Sequence, residues 1–333
     1  MNFKRILAAV LATFTCVSAF SACSNEKKPE KTDKIKIGVV QIVQHPSLNT
    51  IRDSFIDEMK TLGYVDGQNC IIDCQDCQNE PATANSIVQN FKGDGMDIII
   101  AIATPTAQAA ANVSDTIPVI FSAVTDPVAA EIVDSLESTG RNITGTSDAL
   151  QIDQILDFAL QLTPDIKKLG YIYNSGETNS VSCLEKVKEY SQKNGIEVVE
   201  TAVTNSSEVQ QAGQVLASKV DAIFTPNDNT IAVSMGALAD LTIKAKIPLY
   251  VGADSMVKDG GFATVGINYE NLGKETAKMA DLILKGEKTA SEIPVKVFDS
   301  DLFQYINKKT ADAIGVTLPA EIGSSDRTIF LGE

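Results

Sequence analysis

His45 is the only histidine in the 333-residue chain, and it stands in the stretch Gln44-His45-Pro46-Ser47-Leu48. A Ser-His-Asp triad or a His-built metal site would have to use it. The sequence supplies neither a G-x-S-x-G elbow nor a second imidazole to complete such a site. Nucleotide chemistry has no foothold either, since there is no G-x-x-x-x-G-K-[ST] and no G-x-G-x-x-G after a strand. His45 therefore reads as a helix-start residue or a hydrogen-bonder to a ligand, not as a base. The run Cys70-Ile71-Ile72-Asp73-Cys74-Gln75-Asp76-Cys77, with Cys183 far away, lacks the paired Cys-x-x-Cys knuckles of zinc sites. Cys70 and Cys74 lie too far apart on one strand face to bridge. Cys74 and Cys77 either bond to each other or pack as free thiols. No catalytic residue, metal ligand or cofactor is expected.

Binding chemistry is better supplied. The stretch IIIAIATPTAQAAANV, residues 98–113, runs an apolar strand straight into a helix with Thr104, Pro105 and Thr106 at the join. A helix start offers unpaired N–H groups and the positive end of a dipole, a seat for a carboxylate. Thr104 and Thr106 add hydroxyls, and Pro105 at the first helical position gives up only an N–H that has no partner there. The competing role for Thr104 is that of a simple helix cap. Asp126, Glu177, Asp228 and Asp254 are candidates to receive an ammonium group. Against that, Asp126 and Asp228 also suit N-caps, and Glu177 suits plain solvation.

The elements that must position these residues alternate regularly. Strand-like KIKIGVVQIV is followed by a helical pattern of Leu48, Ile51, Phe55, Met59 and Leu62, closed by Gly63. The alternation continues through CIID, a helix around Ile87-Val88-Phe91, MDIIIAIAT, a helix from Pro105, IPVIFSAV, a helix from Pro127, and NITGTSD. A second round begins at KKLGYIYN and runs through IEVVETAV, VDAIFTP, IPLYVGA and FATVGIN. Strands separated by helices call for right-handed crossovers and parallel sheets covered on both faces. Two rounds predict an α/β fold of two doubly wound, Rossmann-like lobes. Ligands of such sheets sit beyond the carboxyl ends of the strands. The loops there are Gln44-His45-Pro46, Thr104-Pro105-Thr106, Thr125-Asp126-Pro127, Asn174 to Asn179, Asn227-Asp228-Asn229 and Asp254-Ser255.

The beginning of the chain reads as an export signal. Lys4 and Arg5 precede an apolar run from Ile6 to Phe20, and Ser21-Ala22 leads into Cys23. Cys23 is then the lipidated first residue of a lipoprotein, with 1–22 as signal peptide and 23–34 as a charged, flexible tether. An ordinary signal peptide cut nearby, with Cys23 idle, is the alternative. Without Lys4 and Arg5 the 28 basic residues become 26 against 43 acidic ones, a balance that argues against nucleic acid or anionic lipid as partner.

With these residues in view, the chain resembles the substrate-binding lipoproteins of ABC importers. They have the type I periplasmic-binding-protein fold, and the resemblance is to the family of the tryptophan- and tyrosine-associated binding proteins. The resemblance rests on VVQIVQHPSLNTIRDSFIDEMKTLGY, IIIAIATPTAQAAA, IPVIFSAVTDPVAAEIV, NITGTSD, YIYNSGETNS, PNDNTI and GINYENLGKETAKMADLILKGE, and it covers most of residues 35–315. The Cys-rich segment departs from it. The resemblance implies two lobes joined by a three-strand hinge, with crossings near Ser147, Asn268 and Phe298. Lobe 1 comprises 35–147 and 268–295, and lobe 2 comprises 148–267 and 296–325. The ligand set it implies is Gln44, His45, Thr104, Pro105, Thr106 and Asp126 from lobe 1, and Asn174, Glu177, Asn227, Asp228 and Asp254 from lobe 2. Ser147 and Asn268 complete it at the hinge. Phe121, Phe224, Tyr173 or Tyr250 would keep a ligand ring company. The implied protein is a monomer, exported and lipid-anchored at the outer face of the cell membrane. It captures a small solute, an amino acid and preferably an aromatic one, and delivers it to an ABC permease and its ATPase. A ligand-sensing receptor of the same fold, or a binder of a nucleoside or sugar, is the alternative.

Overall fold

The structure, a computed structural model, describes residues 34–322 and 325–332. The expected signal peptide, Cys23 and the expected tether up to Asp33 lie outside the described residues.

The first round of the chain supplies β1 (Ile35–Gln41), α1 (Pro46–Thr61), β2 (Cys70–Asp76), α2 (Pro81–Gly93), β3 (Ile98–Ile102), α3 (Thr104–Ala111), β4 (Val119–Ser122) and β5 (Ile143–Ser147). The second supplies α4 (Ile152–Leu162), β6 (Lys168–Asn174), α5 (Thr178–Lys193), β7 (Glu197–Val203), α6 (Val209–Ala217), β8 (Ala222–Thr225), α7 (Asn229–Ala232), α8 (Met235–Ala245), β9 (Leu249–Val251), α9 (Asp254–Lys258) and β10 (Ala263–Gly266). Then follow α10 (Tyr269–Leu284), β11 (Lys296–Val297), β12 (Phe303–Asn307), α11 (Lys308–Ile314) and β13 (Thr328–Leu331).

Two sheets form. One has the order β11-β5-β4-β3-β1-β2, parallel throughout; the other runs β13-β12-β10-β9-β8-β6-β7, with only the β10–β12 pair antiparallel. The central strands read as unbroken apolar runs because helices bury both of their faces. Every residue of Ile98–Ile102 and of Ala222–Thr225 is buried. The chain passes between the sheets three times: between β5 and α4, between β10 and α10, and between β11 and β12. α10 returns to the first lobe and packs on α1 so closely that a Cβ at Gly273 would lie 2.4 Å from the Ile51 carbonyl.

Three local expectations change. Lys296 and Val297 pair with Thr146 and Ser147, so the first lobe's sheet extends past residue 295. β13 lengthens the second sheet beyond residue 325. No helix grows from Pro127. A single turn closes with Ala130 N–H on the Asp126 carbonyl, and Glu131 then adopts φ 58°, which ends any helical run. Cys70, Cys74, Cys77 and Cys183 are all free thiols, and Cys70, Cys77 and Cys183 are buried. Among the described residues no cluster of His, Cys, Asp and Glu is suited to a metal, and no helix is long and apolar enough to cross a membrane.

Candidate ligand-binding site

The carboxyl ends of β1, β3, β4 and β5 face those of β6, β8 and β9 across a cavity of about 20 Å³. That is room for about one water molecule. Lobe 1 lines it with His45, Leu48, Thr104 and Thr125, lobe 2 with Asn179, Asn227, Asn229, Ser255 and Met256, and Asp148 lines it at the first crossing between them. Tyr269, at the start of α10, is the one aromatic residue among the lining residues.

One end of the cavity is organised around Asp148, which follows β5 directly at the first crossing. Its Oδ1 accepts from Thr125 Oγ1 at 3.0 Å, and its Oδ2 accepts from Asn227 Nδ2 at 2.5 Å and Tyr269 Oη at 3.3 Å. Burial pushes this carboxyl above its usual range, while the three side-chain donors pull it back. Burial and the Asp148 charge push the Tyr269 phenol well up, so it remains an O–H donor. Asn227 Oδ1 and Asn179 Oδ1 are sealed from solvent with no donor facing them. A buried carboxylate beside unpartnered carbonyl oxygens calls for a cationic multiple donor, and an ammonium group is the simplest. Gly252 keeps this end compact, because a Cβ there would meet Asn227 N at 2.4 Å.

Helix starts supply the opposite polarity. α1 and α3 point their first turns at the cavity, which Ser47, Leu48 and Thr104 line. First-turn N–H groups have no intrahelical acceptor and carry the positive end of the helix dipole. The backbone around α3 is unusual: Ala103, the residue before the helix, has φ 83° and ψ 161°, and Ala123 beyond β4 has φ 56°. Both alanines line the cavity. Such conformations are costly for a residue with a Cβ and concentrate at functional sites.

Glu177 occupies another helix start. Its two oxygens accept from Asn229 N (3.0 Å), Asn229 Nδ2 (2.6 Å), Thr230 N (3.0 Å) and Thr230 Oγ1 (3.0 Å). Burial and the neighbouring Asp228 push its carboxyl upward, against those four donors. Asp228 is the N-cap of α7 through Ile231 N and also accepts from Asn174 N and Ser180 Oγ. Both carboxylates are consumed by the protein. Asn229 then contacts His45, with Oδ1 3.4 Å from Nε2. Burial holds the imidazole down at a pKa of about 4, so the ring is neutral.

Polar contacts join the lobes around the cavity: Ser47 to Ser255 (2.6 Å), Asn227 to Thr125 (2.9 Å), Asn79 to Thr230 (2.9 Å), Gln108 to Thr178 (3.3 Å) and Ser182 to Asp126 (2.6 Å).

The structure sorts the residues singled out from sequence. His45, Thr104, Asn227 and Asp228 line the cavity. Thr106 does not, because its hydroxyl donates back to the Ile102 and Ala103 carbonyls. Pro105, Asn174 and Glu177 line an outer groove at the rim of the cleft. Asp126 is an interlobe clasp, Asp254 pairs with Lys258, and Gln44 is exposed. Ser147 donates to the Thr125 carbonyl, while exposed Asn268 caps α10 through Glu270 N. Phe121, Phe224 and Tyr250 are fully buried in the sheets, and Tyr173 packs on Tyr171; none of the four lines the cavity. Asp148 and Tyr269 are lining residues outside the loops singled out from sequence, while Asn179, Asn229 and Ser255 lie on those loops but outside the implied ligand set. The strand-end rule, applied to NITGTSD, points to Asp148.

Residues 36–328 match the family model of ABC transporter substrate-binding proteins. The chain is 41% identical over 320 residues to a tyrosine-binding protein of Clostridioides difficile, covering 93% of this chain and 92% of that one. A solved ABC domain in complex with L-Trp from Streptococcus pneumonia is 37% identical, with TM-score 0.84 over 89% of this chain and all of that one. A ligand-free, open substrate-binding protein from Clostridium difficile is 39% identical, with TM-score 0.68 over 89% of this chain and 98% of that one. At nearly equal identity, the chain matches the ligand-bound structure better than the open one. The fold is that of the type I periplasmic-binding proteins. The chain belongs to the ABC transporter substrate-binding protein family, whose members bind solutes and are not enzymes.

Proposed function

We propose that this protein captures a free aromatic amino acid, tryptophan or tyrosine, and delivers it to an ABC permease and its ATPase while lipidated Cys23 holds it at the outer face of the cell membrane. One observation carries the ligand class: the buried Asp148 carboxylate and the unpartnered Asn179 and Asn227 carbonyls share a cavity with the starts of α1 and α3. The first group suits an α-ammonium and the second an α-carboxylate, the two charges that every free amino acid carries a few ångströms apart. Leu48, Ala103, Ala232 and Met256 supply the apolar part of the lining. The ligands named for the two similar proteins agree with this choice.

A cavity of about 20 Å³ cannot admit such a ligand from outside, so loading requires the lobes to part at the three crossings. A ligand that bonds Asp148 and the lobe 1 helix starts on one side and Asn227 on the other favours the closed form by its differential contacts. The lipid anchor raises the effective concentration of the loaded protein at the permease.

Thermal-shift screening of the purified protein against the twenty amino acids tests the ligand class. Tryptophan or tyrosine is expected to raise Tm by several degrees. No response to any amino acid, from protein that melts cooperatively, would remove the proposal.

A further inference from the structure

His45 Nδ1 is sealed from solvent and meets no protein donor, on a ring that lines the cavity. The second lobe fixes what that nitrogen can do. Both Glu177 oxygens already accept backbone N–H groups, from Asn229 and Thr230, so the Asn229 side chain turns its NH₂ toward Glu177. That leaves Asn229 Oδ1 facing His45 Nε2. A carbonyl oxygen only accepts, so Nε2 carries the imidazole hydrogen. A neutral imidazole has one N–H, and Nδ1 is left as a lone-pair acceptor. Burial keeps the ring in that neutral form.

The ligand's ammonium goes instead to the Asp148 carboxyl group, because a carboxylate attracts it more strongly than a neutral imidazole can. We propose that His45 Nδ1 reads a hydrogen-bond donor carried on the ligand's ring, an indole N–H or a phenol O–H, and discriminates against rings without one. The inference rests on the proposed function and adds the basis of its selectivity. A buried acceptor left without its donor weakens binding on the order of 10- to 100-fold.

Isothermal titration of the purified protein with L-tryptophan, L-tyrosine, L-phenylalanine, 1-methyl-L-tryptophan and O-methyl-L-tyrosine tests this. The better of tryptophan and tyrosine should bind at least tenfold more tightly than phenylalanine and than its own methylated analogue. His45→Phe should shrink that gap to threefold or less. His45→Gln, which offers a carbonyl acceptor, should restore part of the gap. Phenylalanine or the methylated analogue binding the wild type as tightly as the parent would overturn the inference alone. Equal weakening of all five ligands by His45→Phe would do the same, and would make His45 a structural residue. Failure of every amino acid to bind the folded protein would overturn the proposed function as well. Should His45→Phe not fold, His45→Gln and the wild-type analogue series still decide.

Discussion

Replacing Asp148 with Asn tests the ammonium site with little change of shape. In the native protein the carboxylate draws on Thr125, Asn227 and Tyr269, and burial opposes its charge. An amide removes the desolvation cost together with the charge-assisted bonds, and Asn227 can rotate its amide to offer the unpartnered Oδ1. These changes offset each other, so the ligand-free stability of Asp148→Asn should lie within about 1 kcal/mol of wild type. Binding has no such compensation. Breaking a buried, hydrogen-bonded charge pair costs about 2–5 kcal/mol, and a middle value of about 3 kcal/mol corresponds to roughly 150-fold in Kd. Isothermal titration with L-tryptophan and L-tyrosine measures it. Indole-3-propionate, which lacks the ammonium, closes a double cycle: it should lose about 100-fold against tryptophan on the wild type and little on the variant. Asp53→Asn is the control, because exposed Asp53 pairs with Arg52 and does not line the cavity. A weakening of less than fivefold in Asp148→Asn, with the fold intact, would refute the assignment.

Other outcomes follow from the same geometry. Ser182→Ala removes an interlobe bond that touches no ligand, and by depopulating the closed form it should weaken binding about 3- to 10-fold. Gly252→Ala pushes on Asn227 N and should lower affinity more than it lowers Tm, read by titration and melting of the same sample. Glu177→Gln places an NH₂ against N–H donors at the start of α7 and should lose about 2 kcal/mol or more in urea unfolding. His45 is held at about 4 in the fold against 6.5 for a free imidazole, so between those values the unfolded chain binds a proton that the native state does not. Its contribution therefore makes stability fall as pH drops from 6.5 toward 4, by up to about 3 kcal/mol. Glu177, Asp148 and Asp228 are shifted upward and act with the opposite sign in acid, so the difference between wild type and His45→Phe isolates the effect.

Much of the architecture was legible because doubly wound sheets write themselves as apolar runs of strand length divided by helical periodicity. The cavity-facing side chains were less so, and the reason is local. At a strand exit or helix entrance, successive side chains point in different directions. The reading chose Ser147, Asn268 and Asp254, whereas Asp148, Tyr269 and Ser255 are the neighbours that line the cavity. Thr106 carries the right chemistry, but its position inside the first turn lets its hydroxyl bond back to Ile102. Glu177 was hidden differently. Its partners are the α7 start some fifty residues on, and only the tertiary fold brings them together. The helix foreseen at Pro127 failed because Glu131 turns left-handed, a choice that side-chain type does not announce.

The most direct test of the account is a crystal structure of the protein soaked or grown with L-tryptophan or L-tyrosine. The α-amino nitrogen should lie within hydrogen-bond distance of an Asp148 carboxylate oxygen, with the ligand's carboxylate on first-turn amides of α1 or α3. A ligand bound with those ends reversed, or bound in another place while this cavity stays closed, would contradict it.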